Sequence, residues 1–215
     1  MQYKWLNKEE NKNLIVFFNG WGMSEKAISH LDFAGYDVLT FFDYRSFEIE
    51  NFDFSKYEKK VLIAWSMGVY VCNYFFDIFK NFDKFIAING TQKPIDDNFG
   101  IPTAIYNLTV DNFNDLSCAK FMKKISTNLE PSGRSTQELK EELITIRDLK
   151  IDNYLTFDKA IISTKDKIIP SKNQMNFWKN AQEINSGHYI FDQYTSWEEL
   201  LWLIKNLSKN AFQKA

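Results

Sequence analysis

The residues best suited to chemistry begin with Ser66, in Lys60-Val-Leu-Ile-Ala-Trp-Ser-Met-Gly-Val-Tyr-Val-Cys72. A continuous apolar run from Val61 to Trp65 stops at this serine. Small residues flank it, with Ala64 before and Gly68 after, and an amphipathic run then follows. The pattern reads as a buried strand, a tight turn and a helix, with a hydroxyl at the apex of the turn. Small flanking residues let such a turn close sharply and lift the serine out of the sheet, as in a nucleophile elbow. Ala64 stands where a glycine is usual. Taken alone, the motif also suits a plain Ser/Gly connection.

A serine hydroxyl is a weak nucleophile near neutrality unless a base accepts its proton, and histidine suits that task best. The chain has two, His30 and His188. His188 lies in Asn185-Ser-Gly-His-Tyr189, a loop after an expected short strand over 181–184 and before the last helix. His30, upstream of Ser66 on an expected helix, reads as a solvated or partly packed residue. The base needs a carboxylate to fix its tautomer. Asp166, in Ile161-Ile-Ser-Thr-Lys-Asp-Lys-Ile-Ile-Pro170, is placed at the carboxyl end of a strand; a loop or capping role is the alternative. Serine, acid and histidine follow one another in the order of an α/β-hydrolase. Acyl chemistry also needs donors for an oxyanion. The glycine-rich turn in Phe17-Phe-Asn-Gly-Trp-Gly-Met23 offers the Trp21 backbone N–H, and Met67, next after the serine, offers a second.

Positioning these groups requires strands and helices in alternation. Apolar bursts at 14–18, 37–42, 60–65, 84–88 and 159–163 read as strands buried on both faces. Helix-length stretches cover 25–31, 67–79, 171–180 and 196–208, the last opening on a capping-box pattern, Ser196-Trp-Glu-Glu199. The order implies a doubly wound α/β class, a mainly parallel sheet with helices on both faces. The segment 108–154 breaks the rhythm with helical runs at 113–125 and 136–149 around Glu130-Pro-Ser-Gly-Arg134. It reads as a helical cap over the carboxyl edge, with two ordinary crossover helices as the alternative. With 215 residues, a single domain with a substantial core is expected.

Composition excludes more than it assigns. A formal charge of −2 gives no reason to expect nucleic acid or an anionic membrane as a partner. Cys72 and Cys118 make neither a disulfide framework nor a metal cluster. The first residues lack the apolar core of a signal peptide, and no stretch is long enough to span a bilayer, so a cytoplasmic protein is expected. The 20 phenylalanines imply an aromatic interior and no particular function. A phosphate-binding reading of Gly20 and Gly22 lacks both the dinucleotide fingerprint and a Lys-Ser/Thr ending.

At Phe18-Asn-Gly-Trp-Gly-Met23, Asp43-Tyr-Arg45, Ala64-Trp-Ser-Met-Gly68, Thr91-Gln-Lys-Pro94 and Ser186-Gly-His188 the chain resembles the BioG-type esterases of the α/β-hydrolase superfamily. It is also similar to the related BioH esterases at the Gly-Trp-Gly loop and the elbow. The resemblance runs nearly end to end. It implies hydrolysis of the methyl ester of pimeloyl-acyl-carrier protein in biotin synthesis, by Ser66, Asp166 and His188 without metal or cofactor. It departs from many superfamily members in having Asn19-Gly20 where they have His-Gly. An acidic carrier protein would dock on basic residues. Lys123, Lys124, Lys140 and Arg147 are the candidates, among acidic neighbours that also suit a merely solvated face. The alternatives are another carboxylesterase or thioesterase of this fold, or a hydrolase-fold binding protein without catalysis.

Overall fold

The computed structural model describes residues 1–126, 129 and 132–210. Glu130 and Pro131, expected in the turn between cap helices, lie outside the described residues. Among the described residues seven strands form one sheet: β1 (Gln2–Asn7), β2 (Asn13–Phe18), β3 (Tyr36–Phe42), β4 (Lys59–Trp65), β5 (Lys84–Ile88), β6 (Lys159–Ser163) and β7 (Gln182–Ile184). Their spatial order is β1-β3-β2-β4-β5-β6-β7, parallel throughout except that β1 runs antiparallel to β3.

The continuous apolar strands are buried on both sides, as side-chain alternation requires. On β2, Leu14, Val16 and Phe18 enter one core while Ile15 and Phe17 enter the other. The first core is phenylalanine-rich, with Phe18 stacked on Phe41 at 4.9 Å and Phe79 edge-on to Phe18 at 5.5 Å. The second is closed by the last helix, whose Trp197, Leu200 and Ile204 pack under the sheet.

Several elements differ from the sequence expectation. β1 was not anticipated, because Gln2-Tyr-Lys-Trp-Leu-Asn7 alternates polar and apolar residues rather than forming a continuous run. It is an edge strand, with Tyr3 and Trp5 packed on one core and Leu6 on the other. The helix expected over 25–31 is a single 3-10 turn, Glu25–Ala27. Beyond it the chain is drawn to 195–197, through Asp32 N–H on Thr195 O and Trp197 N–H on Asp32 O. The helix expected over 67–79 is broken into α1 (Gly68–Val71), a 3-10 turn (Cys72–Phe75) and α2 (Phe76–Phe79). Buried Asn73 donates its side-chain amide to the carbonyls of Val69 and Tyr70, so it competes with the helical ladder. Among the described residues three helices lie between β5 and β6: α3 (Thr103–Asp111), which was not expected, and α4 (Asp115–Ile125) and α5 (Thr136–Asp148), which match the two expected runs. α6 (Ser171–Phe177) ends earlier than expected, and α7 (Trp197–Asn210) completes the chain's described part. Ser196 Oγ caps α7 by accepting Glu199 N–H, but the Glu199 carboxylate reaches Thr195 N–H at 2.8 Å instead of Ser196. No helix among the described residues is long and apolar enough to cross a membrane.

Candidate active site

The site stands at the carboxyl edge of the parallel strands, where loops from β2, β4, β6 and β7 converge. At the end of β4 the chain turns so tightly that Ser66 has a φ of +56°, a left-handed value that side chains rarely take. The turn is held from both sides. Ser66 N–H donates to Ile88 O of β5 at 2.9 Å, and Val69 N–H donates to Ser66 O. Gly68 passes against the end of β2, where a Cβ would lie 2.5 Å from the carbonyl oxygens of Phe18 and Asn19. Only glycine fits there.

His188 Nε2 lies 2.8 Å from Ser66 Oγ, and its Nδ1 lies 2.8 Å from Asp166 Oδ2. A carboxylate only accepts, so the neutral ring donates from Nδ1 and leaves Nε2 free to accept the serine proton. The His188 and Asp166 side chains are 1 % and 0 % exposed, which shields their interaction from water. Asp166 is held by more than the histidine. Its Oδ1 accepts the N–H groups of Ile168 and Ile169, and its Oδ2 accepts Gln174 Nε2 at 2.9 Å. Gln174 sits on α6 and is fully buried.

The histidine loop is fixed through its main chain. Trp65 Nε1 donates to His188 O at 2.9 Å, directly beneath the serine turn. Asn89, another left-handed residue at φ +47°, donates to His188 O and to Ser163 Oγ while accepting Ser163 N–H. Sequence reasoning passed over Gln174 and Asn89. Asn89 had a usable signal, a polar residue between the apolar end of β5 and Gly90; Gln174 had none.

The N–H groups of Trp21 and Met67 have no acceptor among the described residues, whereas Asn19 N–H is bound to Phe41 O and Met23 N–H to Gly20 O. A cleft of about 710 Å³, its open mouth included, reaches Ser66, His188, Trp21 and Met67. Its walls are largely apolar, with Ile105 and Tyr106 of α3, Phe121 and Ile125 of α4 and Leu143 of α5. Lys124 and Lys167 are its charged lining residues.

His30 is exposed, in a turn rather than a helix, with Nε2 2.9 Å from Phe191 O. Cys72 is buried and its thiol is pushed well up by desolvation, which leaves it inert as a nucleophile. Both cysteines are free. Of the proposed docking residues, Lys123 and Lys124 are exposed in the last turn of α4. Lys140 is half-buried on α5, and exposed Arg147 pairs with its neighbour Asp148 at 2.9 Å.

Comparison with known proteins agrees with this architecture. The family model described as pimeloyl-ACP methyl esterase BioG matches residues 1–200. The crystal structure of BioG from Haemophilus influenzae superposes with a TM-score of 0.82 at 31 % identity, over 93 % of this chain and 99 % of that one. An esterase from Exiguobacterium antarcticum, at 13 % identity and a TM-score of 0.61 over 93 % of this chain and 92 % of its own, shares the α/β-hydrolase fold. A malonyl-[acyl-carrier protein] O-methyltransferase of Bacteroides fragilis is 35 % identical over 196 residues, 83 % of this chain. The match spans only 40 % of that longer relative. With a family match over nearly its whole length, this chain belongs to the BioG family.

Proposed function

We propose that the chain is a serine esterase that hydrolyses the methyl ester of pimeloyl-acyl-carrier protein, releasing methanol and pimeloyl-acyl-carrier protein for biotin synthesis. The observation that carries this reading is the hydrogen-bonded line from Ser66 Oγ through His188 to Asp166, at 2.8 Å for each step, opening on an apolar cleft. The family description supplies the substrate. The Bacteroides fragilis relative adds support, since its matching region lies within a protein named for methyl transfer to a carrier-linked acyl group.

In this reading His188 Nε2 takes the Ser66 proton as Oγ attacks the ester carbonyl. The Trp21 and Met67 amides receive the oxyanion, and Asp166 steadies the imidazolium. His188 then returns that proton to the departing methoxide oxygen, releasing methanol and leaving the acyl-serine. Water, deprotonated by the same nitrogen, attacks the acyl-serine and restores the enzyme. No metal or cofactor takes part. The three helices between β5 and β6 act as a cap whose apolar inner side receives the acyl chain, within one cytoplasmic catalytic domain. Lys123 and Lys124 meet the acidic carrier.

The test is turnover of pimeloyl-carrier methyl ester, followed by the mass of the carrier-bound product, beside p-nitrophenyl esters and acyl-CoA. A carrier-bound product lighter by one methylene, formed by the native protein and not by Ser66→Ala, is the expected result. Preference for acyl-CoA would assign a thioesterase instead. A fluorophosphonate that fails to label Ser66 would favour a binding protein with a silent site.

A further inference from the structure

Glu142 of α5 is a fully buried carboxylate that the mechanism above does not use. A buried carboxylate is costly unless donors satisfy it. Here the donors come from two separate loops at the edge of the sheet. Its Oε2 accepts Gly22 N–H at 3.1 Å and its Oε1 accepts Tyr44 N–H at 2.9 Å. Arg134 Nη1 lies 3.0 Å from both Glu142 Oε2 and Asp43 Oδ1, which places a cation between the two acids. Asp43 itself sits at φ +56° and is gripped by Arg45 through two hydrogen bonds of 2.8 Å. The Asp43-Tyr-Arg45 motif, otherwise without a role in the chemistry, is part of this cluster.

The glycine-rich loop is bound to the same segment at two further points. Trp21 Nε1 donates to Leu139 O at 2.9 Å, and Arg134 Nη2 donates to Met23 O at 3.2 Å. Gly22 is left-handed, at φ +77°, so nothing in its own side chain restrains it. Peptide planes are rigid. Fixing Gly22 N–H on Glu142 sets the plane that follows Trp21, and Met23 N–H on Gly20 O closes the turn around it. The Trp21 N–H thereby has no acceptor among the described residues, and Trp21 lines the cleft that holds Ser66.

We infer that Glu142 is a positioning residue: through the Gly22 amide, the α5 carboxylate aims the Trp21 N–H at the reacting carbonyl oxygen. The oxyanion site is then complete only while α5 is seated on the loop, which couples the helices above the cleft to the chemistry beneath. The inference rests on the esterase reading and on Trp21 as an oxyanion donor.

The experiment compares native protein, Glu142→Gln and Glu141→Gln on a small p-nitrophenyl ester, with active sites counted by fluorophosphonate titration. A glutamine keeps the shape but offers one acceptor where the carboxylate offers two. Turnover per titrated Glu142→Gln site is expected to fall about ten-fold or more, with KM changed by less than about two-fold. Affinity for a boronic acid that forms a tetrahedral adduct should fall by a similar factor. Glu141→Gln, on the exposed side of α5, should match native turnover. Titrated Glu142→Gln sites that turn over at the native rate and bind the boronic acid equally well would overturn the inference, whatever their melting temperature. Should Glu142→Gln fail to fold, Glu142→Asp, which keeps the charge but draws the carboxylate back from Gly22 N–H, is read by the same criteria. Native protein that the fluorophosphonate leaves unlabelled would instead remove the esterase reading itself.

Discussion

At the site, Asp166 is held by donors beyond the histidine it faces. Asp166 spends one oxygen on two backbone amides and shares the other between His188 and Gln174, so it has one orientation open to it. Asp166→Asn would present an amide donor where the imidazole needs an acceptor, and turnover should fall by about 10⁴-fold while labelling slows in parallel. Gln174→Met keeps the volume and removes the donor. A hydrogen bond to a charged group contributes about 1.5–3 kcal/mol, so turnover is expected to fall about ten-fold. Unchanged turnover with only a lower melting temperature would assign Gln174 to packing. Asp37 shows the same logic away from the site. Burial pushes its carboxyl up, but donors from Tyr57, Glu9 and Asn11 outweigh this and hold it below its ordinary value. A depressed carboxyl contributes stability that is present above its unfolded pKa of about 4 and is lost as pH falls through the lower folded one. The stability gap between native protein and Asp37→Asn should therefore narrow below about pH 4 in denaturant titrations; a gap that widened there would contradict the assignment.

Among the elements, the strand-to-helix turn after β4 depends most on local geometry. Its left-handed serine is compatible with the sheet because Gly68 lets α1 begin against the end of β2. A methyl group at 68 would push on the Phe18 and Asn19 carbonyls, and those residues lead directly into the loop carrying Trp21. Gly68→Ala should lower the melting temperature and reduce turnover more than ten-fold together, since the collision is with backbone that has little room to yield. Native-like turnover would show that the end of β2 relaxes freely. Ala64 is a different case. It is paired in register with Phe18 of β2 and Ala87 of β5, and its side chain joins the buried core. A methyl is accommodated there, which is why the departure from a glycine does not prevent the turn.

Across the whole molecule, the sheet's two buried faces fix strand ends, while helices between β5 and β6 bring in α5 and the upper wall of the cleft. Exposed lysines at the end of α4 stand beside that opening, with Lys124 lining it. Replacing Lys123 and Lys124 with Glu should weaken turnover of the carrier-linked ester, seen as a raised KM, while sparing a small soluble ester; equal loss on both would remove docking from that surface. Much of this organisation was readable in the chain. Five parallel strands are continuous apolar runs, because a strand covered on both faces has no polar side to alternate with. Ser66, Asp166 and His188 stood out because the chain has only two histidines and because serine, acid and histidine follow one another in hydrolase order. β1 escaped notice because an edge strand keeps a polar alternation. The break at Asn73 escaped too, since its amide takes up carbonyls of its own helix only when the fold brings Gln92 and Leu155 to its oxygen. The order of local elements was thus determined by hydrophobic pattern, which neighbouring residues set among themselves. Which amide Glu142 would hold, and that Gln174 would meet Asp166, was decided only by tertiary structure, because hydrogen bonds between distant segments leave no periodic trace in a sequence.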